Sequence, residues 1–296
     1  MSKKIEASVI IPVYNRSDEL RLTLQSIAKQ TLPKDTFEVI IADDGSSEAL
    51  QGVLGEFPDL QLKYVFQQDE GFRAAAARNL GTSLSSGKIL VYSDNGILLS
   101  SDALERHIEY HTKGEDGLVL LGCMMATGWG TDYKRVLEIL TEYDIDAAIT
   151  TMKGEGICDG RNYLFTKYGH EVSDWYIPWL SLWGGHFSVN SLFVKKHGIR
   201  WSDSFVTWGG EDNEYGIQLC NAGARLQFCE DIEVAHYPTP GSKAITAIDE
   251  DSKKGFAETM QHILSLHPDN RGVKAWCKLG SLANDPLERA KLCEEG

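Results

Sequence analysis

Short apolar, β-branched runs that each break into a polar turn recur through the first hundred residues, and this recurrence constrains the fold more than any other feature. Ala7 to Val13 leads into Tyr14-Asn15-Arg16-Ser17, Phe37 to Ala42 into Asp43-Asp44-Gly45-Ser46, and Lys88 to Tyr92 into Ser93-Asp94-Asn95-Gly96. Runs of this length and composition read as buried strands. Leu20, Leu22, Leu24 and Ile27 in a charged background read as a helix, with Ser17 as its N-cap and Glu19 in its first turn. Leu62 to Phe66 reads as a further strand, and the alanine-rich stretch Arg73 to Ser85, closed by Gly87, as a helix. Alternating strands and helices predict an α/β fold with a mostly parallel sheet flanked by helices, because each crossover lays its helix on the sheet. Ligands then bind beyond the carboxyl ends of the strands. Asn15-Arg16, Asp43-Asp44 and Asp94-Asn95 all fall at such ends and are expected to line one crevice.

Beyond about residue 100 the texture changes. Asp102 to Lys113 and Tyr133 to Ile149 read as helices and Leu118 to Leu121 as a strand, followed by a segment from Ile157 to Gly210 dense in Trp, Gly and Tyr. A regular half beside a loop-rich, aromatic half suggests a site for two substrates. Gly241 to Lys254 has weak periodicity and reads as a mobile loop, and Phe256 to Leu266 and Val273 to Leu279 as terminal helices. This divides the chain into one domain over 1–250, with halves at about 1–100 and 101–250, and a helical tail over 251–296.

Composition narrows the partners. Twenty-nine Lys and Arg against 43 Asp and Glu give a net charge of −14 with no basic cluster, which disfavours nucleic acid and anionic membrane surfaces. With 42% apolar and 24% charged residues the chain reads as globular and soluble. No apolar run approaches the ~20 residues of a membrane helix, so no integral membrane segment is expected. The start carries no signal-peptide pattern, and the six cysteines form no C-x-x-C pair, which fits reduced thiols in a cytoplasmic enzyme.

Two nucleotide chemistries are disfavoured. A dinucleotide fold needs a glycine fingerprint after the first strand, yet that turn holds no glycine. A P-loop is absent too, because Ile89 follows Lys88 where Ser or Thr is required. Instead, Val9-Ile10-Ile11-Pro12-Val13-Tyr14-Asn15-Arg16, Ile41-Ala42-Asp43-Asp44-Gly45-Ser46, Ala77-Arg78-Asn79-Leu80-Gly81, the acidic turn at Asp94, and Trp208-Gly209-Gly210-Glu211-Asp212 stand in an order that resembles glycosyltransferase family 2. The resemblance covers roughly residues 7 to 240 and implies a GT-A fold, a Rossmann-like sheet with a loop-rich acceptor half. The block from Trp183-Gly184-Gly185 to Asp212 is similar to bacterial chondroitin-polymerase-type domains, and its second part to β-1,4-galactosyltransferase-type domains.

The resemblance implies a UDP-sugar donor, whose base, ribose and diphosphate need planar hydrogen bonding and charge neutralisation. It assigns Pro12, Tyr14, Arg16, Asp43, Asp44, Arg78, Asp94 and Asn95 to the donor side. By itself Asp-Asp-Gly-Ser also reads as a good turn, and Arg78 as a solvated helix arginine. A departing diphosphate calls for a divalent cation, Mn²⁺ or Mg²⁺, on hard oxygen ligands. Family members place D-x-D at the fourth strand end, where this chain has Asp94-Asn95-Gly96, so one carboxylate is missing. His236, 24 residues after Asp212, is implied as the other metal ligand beside Asp94. Asp144-Ile145-Asp146 also spells D-x-D but follows a helical stretch and reads as surface, and His107 and His111 read as an exposed helix face.

Asp212 is assigned as the base on the acceptor hydroxyl, with Glu211 beside it, because the start of a helix favours a carboxylate. Trp183, Gly184, Gly185, His186, Trp208 and Gly210 are assigned to the acceptor and sugar side, with Trp179 a further stacking candidate, and each of the three tryptophans reads equally as core. At position 186 the chondroitin-type domains have Asn. The function expected is inverting transfer of a sugar from a UDP-sugar to the hydroxyl of a carbohydrate or other acceptor. The alternatives are a retaining transferase and a non-catalytic sugar-nucleotide-binding protein.

Overall fold

The chain alternates β1 (Ala7–Val13), α1 (Ser17–Ala28), β2 (Phe37–Asp43), α2 (Gln51–Leu54), β3 (Leu62–Phe66), α3 (Ala74–Leu84) and β4 (Ile89–Ser93). It continues through β5 (Ile97–Leu99), α4 (Ala103–Lys113), β6 (Leu118–Met125), α5 (Tyr133–Glu142), α6 (Ile145–Gly154) and α7 (Asn162–Tyr168). The last part holds β7 (His186–Asn190), α8 (Ser191–His197), α9 (Glu211–Asn221), β8 (Arg225–His236), α10 (Glu250–Leu266) and α11 (Arg271–Leu279). This computed structural model describes residues 4–128, 130–239 and 250–279.

Eight strands form one sheet in the order β3-β2-β1-β4-β7-β6-β8-β5. β3, β2, β1 and β4 run parallel, as the βα periodicity predicts. The rest is mixed rather than mostly parallel: β7 is antiparallel to both β4 and β6, and β5 to β8, while β6 and β8 are parallel. The loop-rich segment before β7 returns the chain to the end of the sheet at which β4 leaves it, with Ser93 opposite His186. That reversal delivers Trp183-Gly184-Gly185 to the side of Asp94, whose N–H donates to the Gly185 carbonyl at 2.9 Å.

Strict alternation along the strands fills both faces. Ile10, Ile40, Leu90 and Tyr92 pack with Ala75 of α3 and with Phe187, Trp201 and Tyr215 on one side. Val9, Ile11, Val39, Ile41 and Val91 pack with Leu20, Leu24 and Ile27 of α1 on the other. Strands covered on both faces read as unbroken apolar runs, which is why they were legible. Gly81 lets α3 sit close to the sheet, since a Cβ there would lie 2.7 Å from Ile10 Cγ2.

Several boundaries differ from the sequence reading: β6 runs on past Leu121 to Met125, and the segment read as loop-rich holds α7, β7 and α8. The stretch read as one helix from Tyr133 to Ile149 is α5 and α6, divided where Asp144 accepts a capping hydrogen bond from Ala147 N at 3.0 Å. Its neighbour Asp146 accepts from Ser101 N at 2.8 Å, so the surface D-x-D is used structurally. Ser17 is the first residue of α1 rather than its N-cap, and its N–H donates to Glu48 Oε2 at 2.9 Å. Of the loop expected over 241–254, residues 241–249 lie outside the described residues, and Glu250 opens α10.

Candidate active site

The donor-side residues gather on a shelf at the ends of β1 and β2. Asn15 and Arg16 have φ of 56° and 58°, two successive left-handed residues without glycine. Such backbone is tolerated where neighbours over-determine it. Here Asn15 N donates to Ser46 Oγ at 2.7 Å and Asn15 Oδ1 accepts from Ser47 N at 2.9 Å, stapling the first turn to the second. Asp43 is buried and accepts from Ser46 N at 2.7 Å and Tyr64 Oη at 2.6 Å. Asp44, also buried, accepts from Arg73 N at 2.9 Å and from Gln67 Nε2, and its burial raises the carboxyl above its ordinary value. Tyr14 is half exposed and donates to Asp69 Oδ2 at 3.0 Å, while Pro12 lies within β1 opposite Ala42. Gln67 and Arg73 were not singled out from the sequence, because their role depends on β3 lying beside β2.

The second set of charges is under tighter constraint. Arg78 of α3 is buried, not solvated, with its guanidinium 4.5 Å above the Trp201 ring. Its Nη2 donates to Asp94 Oδ1 at 2.7 Å and its Nη1 to Glu211 Oε1 at 3.3 Å. Gly209 and Gly210, at φ of 101° and 89°, turn the chain so that Glu211 and Asp212 open α9. Asp212 Oδ2 accepts from Gly184 N at 3.2 Å and its Oδ1 from Asn213 N at 2.7 Å. Burial first, and then the neighbouring Glu211 carboxylate, push the Asp212 carboxyl well above the ordinary carboxylate range, against the pull of these two N–H donors and of Arg78. Gly184 has no room for a side chain, as its Cβ would lie 2.9 Å from Arg78 Nη2.

The turn after β4 brings Asp94 and His236 together. Tyr237 N donates to the Gly96 carbonyl at 2.8 Å, and His236 pairs with Ile97 across the β5–β8 ladder. Burial lowers the His236 pKa, with Asp94 opposing and Arg16 assisting, so the imidazole is neutral near pH 7. Its Nδ1 and the Oδ1 of Asn95 are buried without a hydrogen-bond partner. Asn95 Nδ2 donates to the Arg16 carbonyl at 3.2 Å. Gly96, where the missing carboxylate would stand, has φ of 93°. Among the described residues no trio of His, Cys, Asp or Glu is arranged to hold a metal.

The aromatic assignments divide. Trp208 is 82% exposed on the loop before Gly209. Trp183 is partly buried, with the Arg161 guanidinium 5.0 Å from its ring, and Arg161 is itself locked in a buried pair with Asp159 at 2.6 Å. Trp179 is core, packed edge-on to Trp276 of α11 at 5.3 Å. His186, expected on the acceptor side, is fully buried, because β7 turns its side chain into the sheet interior. It belongs to a chain of hydrogen bonds: His111 Nε2 to Ser188 Oγ at 2.8 Å, Ser188 Oγ to His107 Nδ1 at 2.8 Å, His107 Nε2 to His186 Nε2 at 2.9 Å, and His186 Nδ1 to Ser93 Oγ at 3.3 Å. His107 and His111 are therefore inward-facing rather than an exposed face. Burial pushes His111 down to about 4 and His186 to about 3, and lowers His107 well below its ordinary value.

A sheet of this topology, with polar turns gathered at one end and a loop-rich half closing over them, is shared with GT-A glycosyltransferases. The structure of S. aureus TarS 1–349 in complex with UDP-GlcNAc matches with a TM-score of 0.66 and 17% identity, over 95% of this chain and 73% of that one. The mannosyltransferase PcManGT from Pyrobaculum calidifontis, in complex with GDP-Man and Mn²⁺, matches with a TM-score of 0.59 and 17% identity, over 100% of this chain and 77% of that one. The model of glycosyl transferase family 2 matches residues 8–171, and the chain belongs to that family. Validoxylamine A glucosyltransferase from Streptomyces hygroscopicus subsp. jinggangensis is 32% identical over 214 residues, covering 72% of this chain and 50% of the relative. Chondroitin synthase from Escherichia coli is 29% identical over 249 residues, covering 80% of this chain and 35% of the relative. The chain thus spans half or less of the length of these two relatives. Among the described residues no helix is long and apolar enough to cross a membrane.

Proposed function

We propose that the chain transfers a hexosyl or N-acetylhexosaminyl group from a UDP-sugar to a hydroxyl of a carbohydrate or other acceptor, by single displacement with inversion. The observation that carries this reading is Asp212, a carboxylate of raised proton affinity opening α9 beside the buried Arg78, whose guanidinium pairs with the partly exposed Asp94. In the step, the acceptor oxygen forms a bond to the anomeric carbon as its proton passes to Asp212. The bond from that carbon to the diphosphate oxygen breaks, and UDP leaves with the electron pair. A base acts well when its pKa is near the working pH, so the raised value favours this role. The buried Arg78 guanidinium supplies positive charge beside Asp94, and the shelf at Tyr14, Asp43 and Asp44 is the place for the nucleoside. UDP-GlcNAc in the TarS structure supports the donor class.

Asp94 and neutral His236, with Asn95 Oδ1 as the oxygen that stands in for the missing carboxylate, are the residues that would hold a divalent cation. The orphaned Asn95 Oδ1 and His236 Nδ1 fit such a guest. Mn²⁺ or Mg²⁺, when bound there, supplies charge neutralisation for the diphosphate. With one carboxylate fewer than D-x-D, the cation is expected to bind weakly without the donor. Restoring the acid by Gly96→Asp places a side chain at φ of 93°, which costs about 1 to 3 kcal/mol in strain.

Titration calorimetry of UDP, GDP, ADP and NAD with and without Mn²⁺ tests the donor class. UDP is expected to bind most tightly, and GDP binding as well or better would overturn it. Anomeric analysis of the product tests inversion, and full activity in excess EDTA would remove the cation from the reading.

A further inference from the structure

We propose that His262 of α10 is a positioning residue for the loop 201–210 that leads into Glu211 and Asp212, so that the C-terminal helices set the acceptor side of the site. This rests on the reading of Asp212 as the base.

The loop is pinned at three points. At its start, Asn79 of α3 grips the Trp201 backbone, its Nδ2 donating to Trp201 O at 2.8 Å and its Oδ1 accepting from Trp201 N at 3.1 Å. In its middle, Ser202 Oγ and Ser204 Oγ are hydrogen-bonded at 2.7 Å, and Ser204 Oγ in turn to His262 Nε2 at 2.8 Å. The Phe205 ring meets the His262 imidazole edge-on at 4.9 Å. At its end, α10 lies so close over Gly210 that a Cβ there would fall 2.2 Å from Thr259 Cγ2 and 3.3 Å from Ile263 Cδ1. The same helix system holds α9 separately, through His267 Nε2 and Glu214 Oε1 at 2.9 Å.

Between the second and third pins the chain is exposed, with Val206 at 62% and Trp208 at 82%. Two glycines at positive φ follow, residues that are readily released into other conformations. Those few residues precede the base directly, and small misplacements of a catalytic group are expensive, about 10²-fold for 1 Å. Asn79 and the Gly210 contact hold the ends through backbone and packing. His262 holds the middle through a polar side chain, and it does so from a helix remote in sequence from the donor shelf.

Hydrogen exchange and kinetics on the full chain test the pin. In His262→Ala the amides of 203–209 are expected to exchange about fivefold faster, the effect of losing one net hydrogen bond. Amides of β1 and β2 should be unchanged, and so should the whole pattern in the exposed-face control Gln261→Ala. With UDP-GlcNAc as probe, hydrolytic kcat is expected to fall about tenfold in His262→Ala at unchanged UDP affinity, and His262→Gln, whose amide still reaches Ser204, to recover most of it. Equal exchange in wild type and His262→Ala would overturn the proposal, as would a loss of UDP affinity matching the loss of kcat. If Asp212→Asn leaves turnover intact while His262→Ala still loosens 203–209, the base assignment falls and the pin stands.

Discussion

Asp43-Asp44 and Glu211-Asp212 are both adjacent acid pairs in turns at the ends of regular elements, yet their surroundings differ in kind. Each carboxylate of the first pair accepts from two neutral donors: Ser46 N and Tyr64 Oη for Asp43, Gln67 Nε2 and Arg73 N for Asp44. These bonds knit the end of β2, β3 and the start of α3 into one shelf. In the second pair Asp212 also accepts from two backbone N–H groups, but Glu211 shares the single buried Arg78 guanidinium with Asp94, the two acids repel each other, and Glu211 Oε2 and Arg78 Nε are left without partners. Hydrogen bonds to charged groups contribute about 1.5 to 3 kcal/mol each, whereas charge left under-compensated in a dry site raises proton affinity. The first turn is thereby built for rigidity and the second for proton transfer.

Replacing each base candidate in turn breaks the comparison most sharply. Asp212→Asn is expected to lower transfer by 10² to 10⁴-fold with UDP affinity nearly unchanged, since the amide keeps the shape but cannot take a proton. A near-normal Asp212→Asn beside an inactive Glu211→Gln would exchange the two roles. The same raised pKa sets a pH dependence. The working base is the deprotonated form, so turnover should fall as pH drops through a value higher than that of an ordinary carboxylate. A carboxyl whose folded pKa exceeds its unfolded one loses stability as pH rises between the two. Asp212→Asn loses one of two acceptor bonds, so its stability relative to wild type should improve as pH rises from 5 to 8, and a relative stability that does not change with pH would contradict the raised pKa.

Arg78→Ala comes next. Its place on the donor side implies weaker UDP binding, and its own burial predicts a loss of about 3 kcal/mol of stability as well, because removing it strands the buried Glu211 charge. An unchanged urea midpoint would show that water enters the cluster. Arg78→Lys should recover only part, since an ammonium lacks the fork that spans two carboxylates.

The histidine chain lies behind the second region, ending at Ser93, which precedes Asp94, and at His186, which follows Gly185. Its imidazoles are neutral when folded and their pKa values are depressed, so the stability they contribute is present above the ordinary imidazole pKa and is lost as pH falls toward 4 and 3. For His186 alone the loss between pH 6.5 and 5 is about 2 kcal/mol. Urea unfolding at those two pH values measures it, and His186→Asn should flatten the dependence. The smallest effect is expected at Asp44. Asp44→Asn retains one of its two acceptor bonds and should cost about 1 kcal/mol, with weaker UDP binding in calorimetry but no loss of rate at saturating donor.

Much of the regular half was legible because its signals are local. Apolar runs, turn residues and alanine-rich helix need only their neighbours, so β1, α1, β2, β3, α3 and β4 stand close to where periodicity places them. Glu211 and Asp212 were legible as a helix start after two glycines for the same reason. Nothing local marks the role of Asn79 although it stands beside Arg78, since its partner Trp201 lies 122 residues away.

By itself the sequence determined the order β1, α1, β2, β3, α3 and β4, the strand-end positions of Asp43, Asp44 and Asp94, and membership of a glycosyltransferase family. Only the tertiary structure decided the reversed direction of β7, which sets Gly184 against Asp212 and turns His186 into the core. It alone separated Trp179, sealed under Trp276, from Trp208, left in solvent. It also gave Arg78 three carboxylate neighbours, one from the turn after β4 and two from α9. Secondary structure follows from interactions a few residues long, whereas burial, pairing and proton affinity depend on which distant segments share the same space.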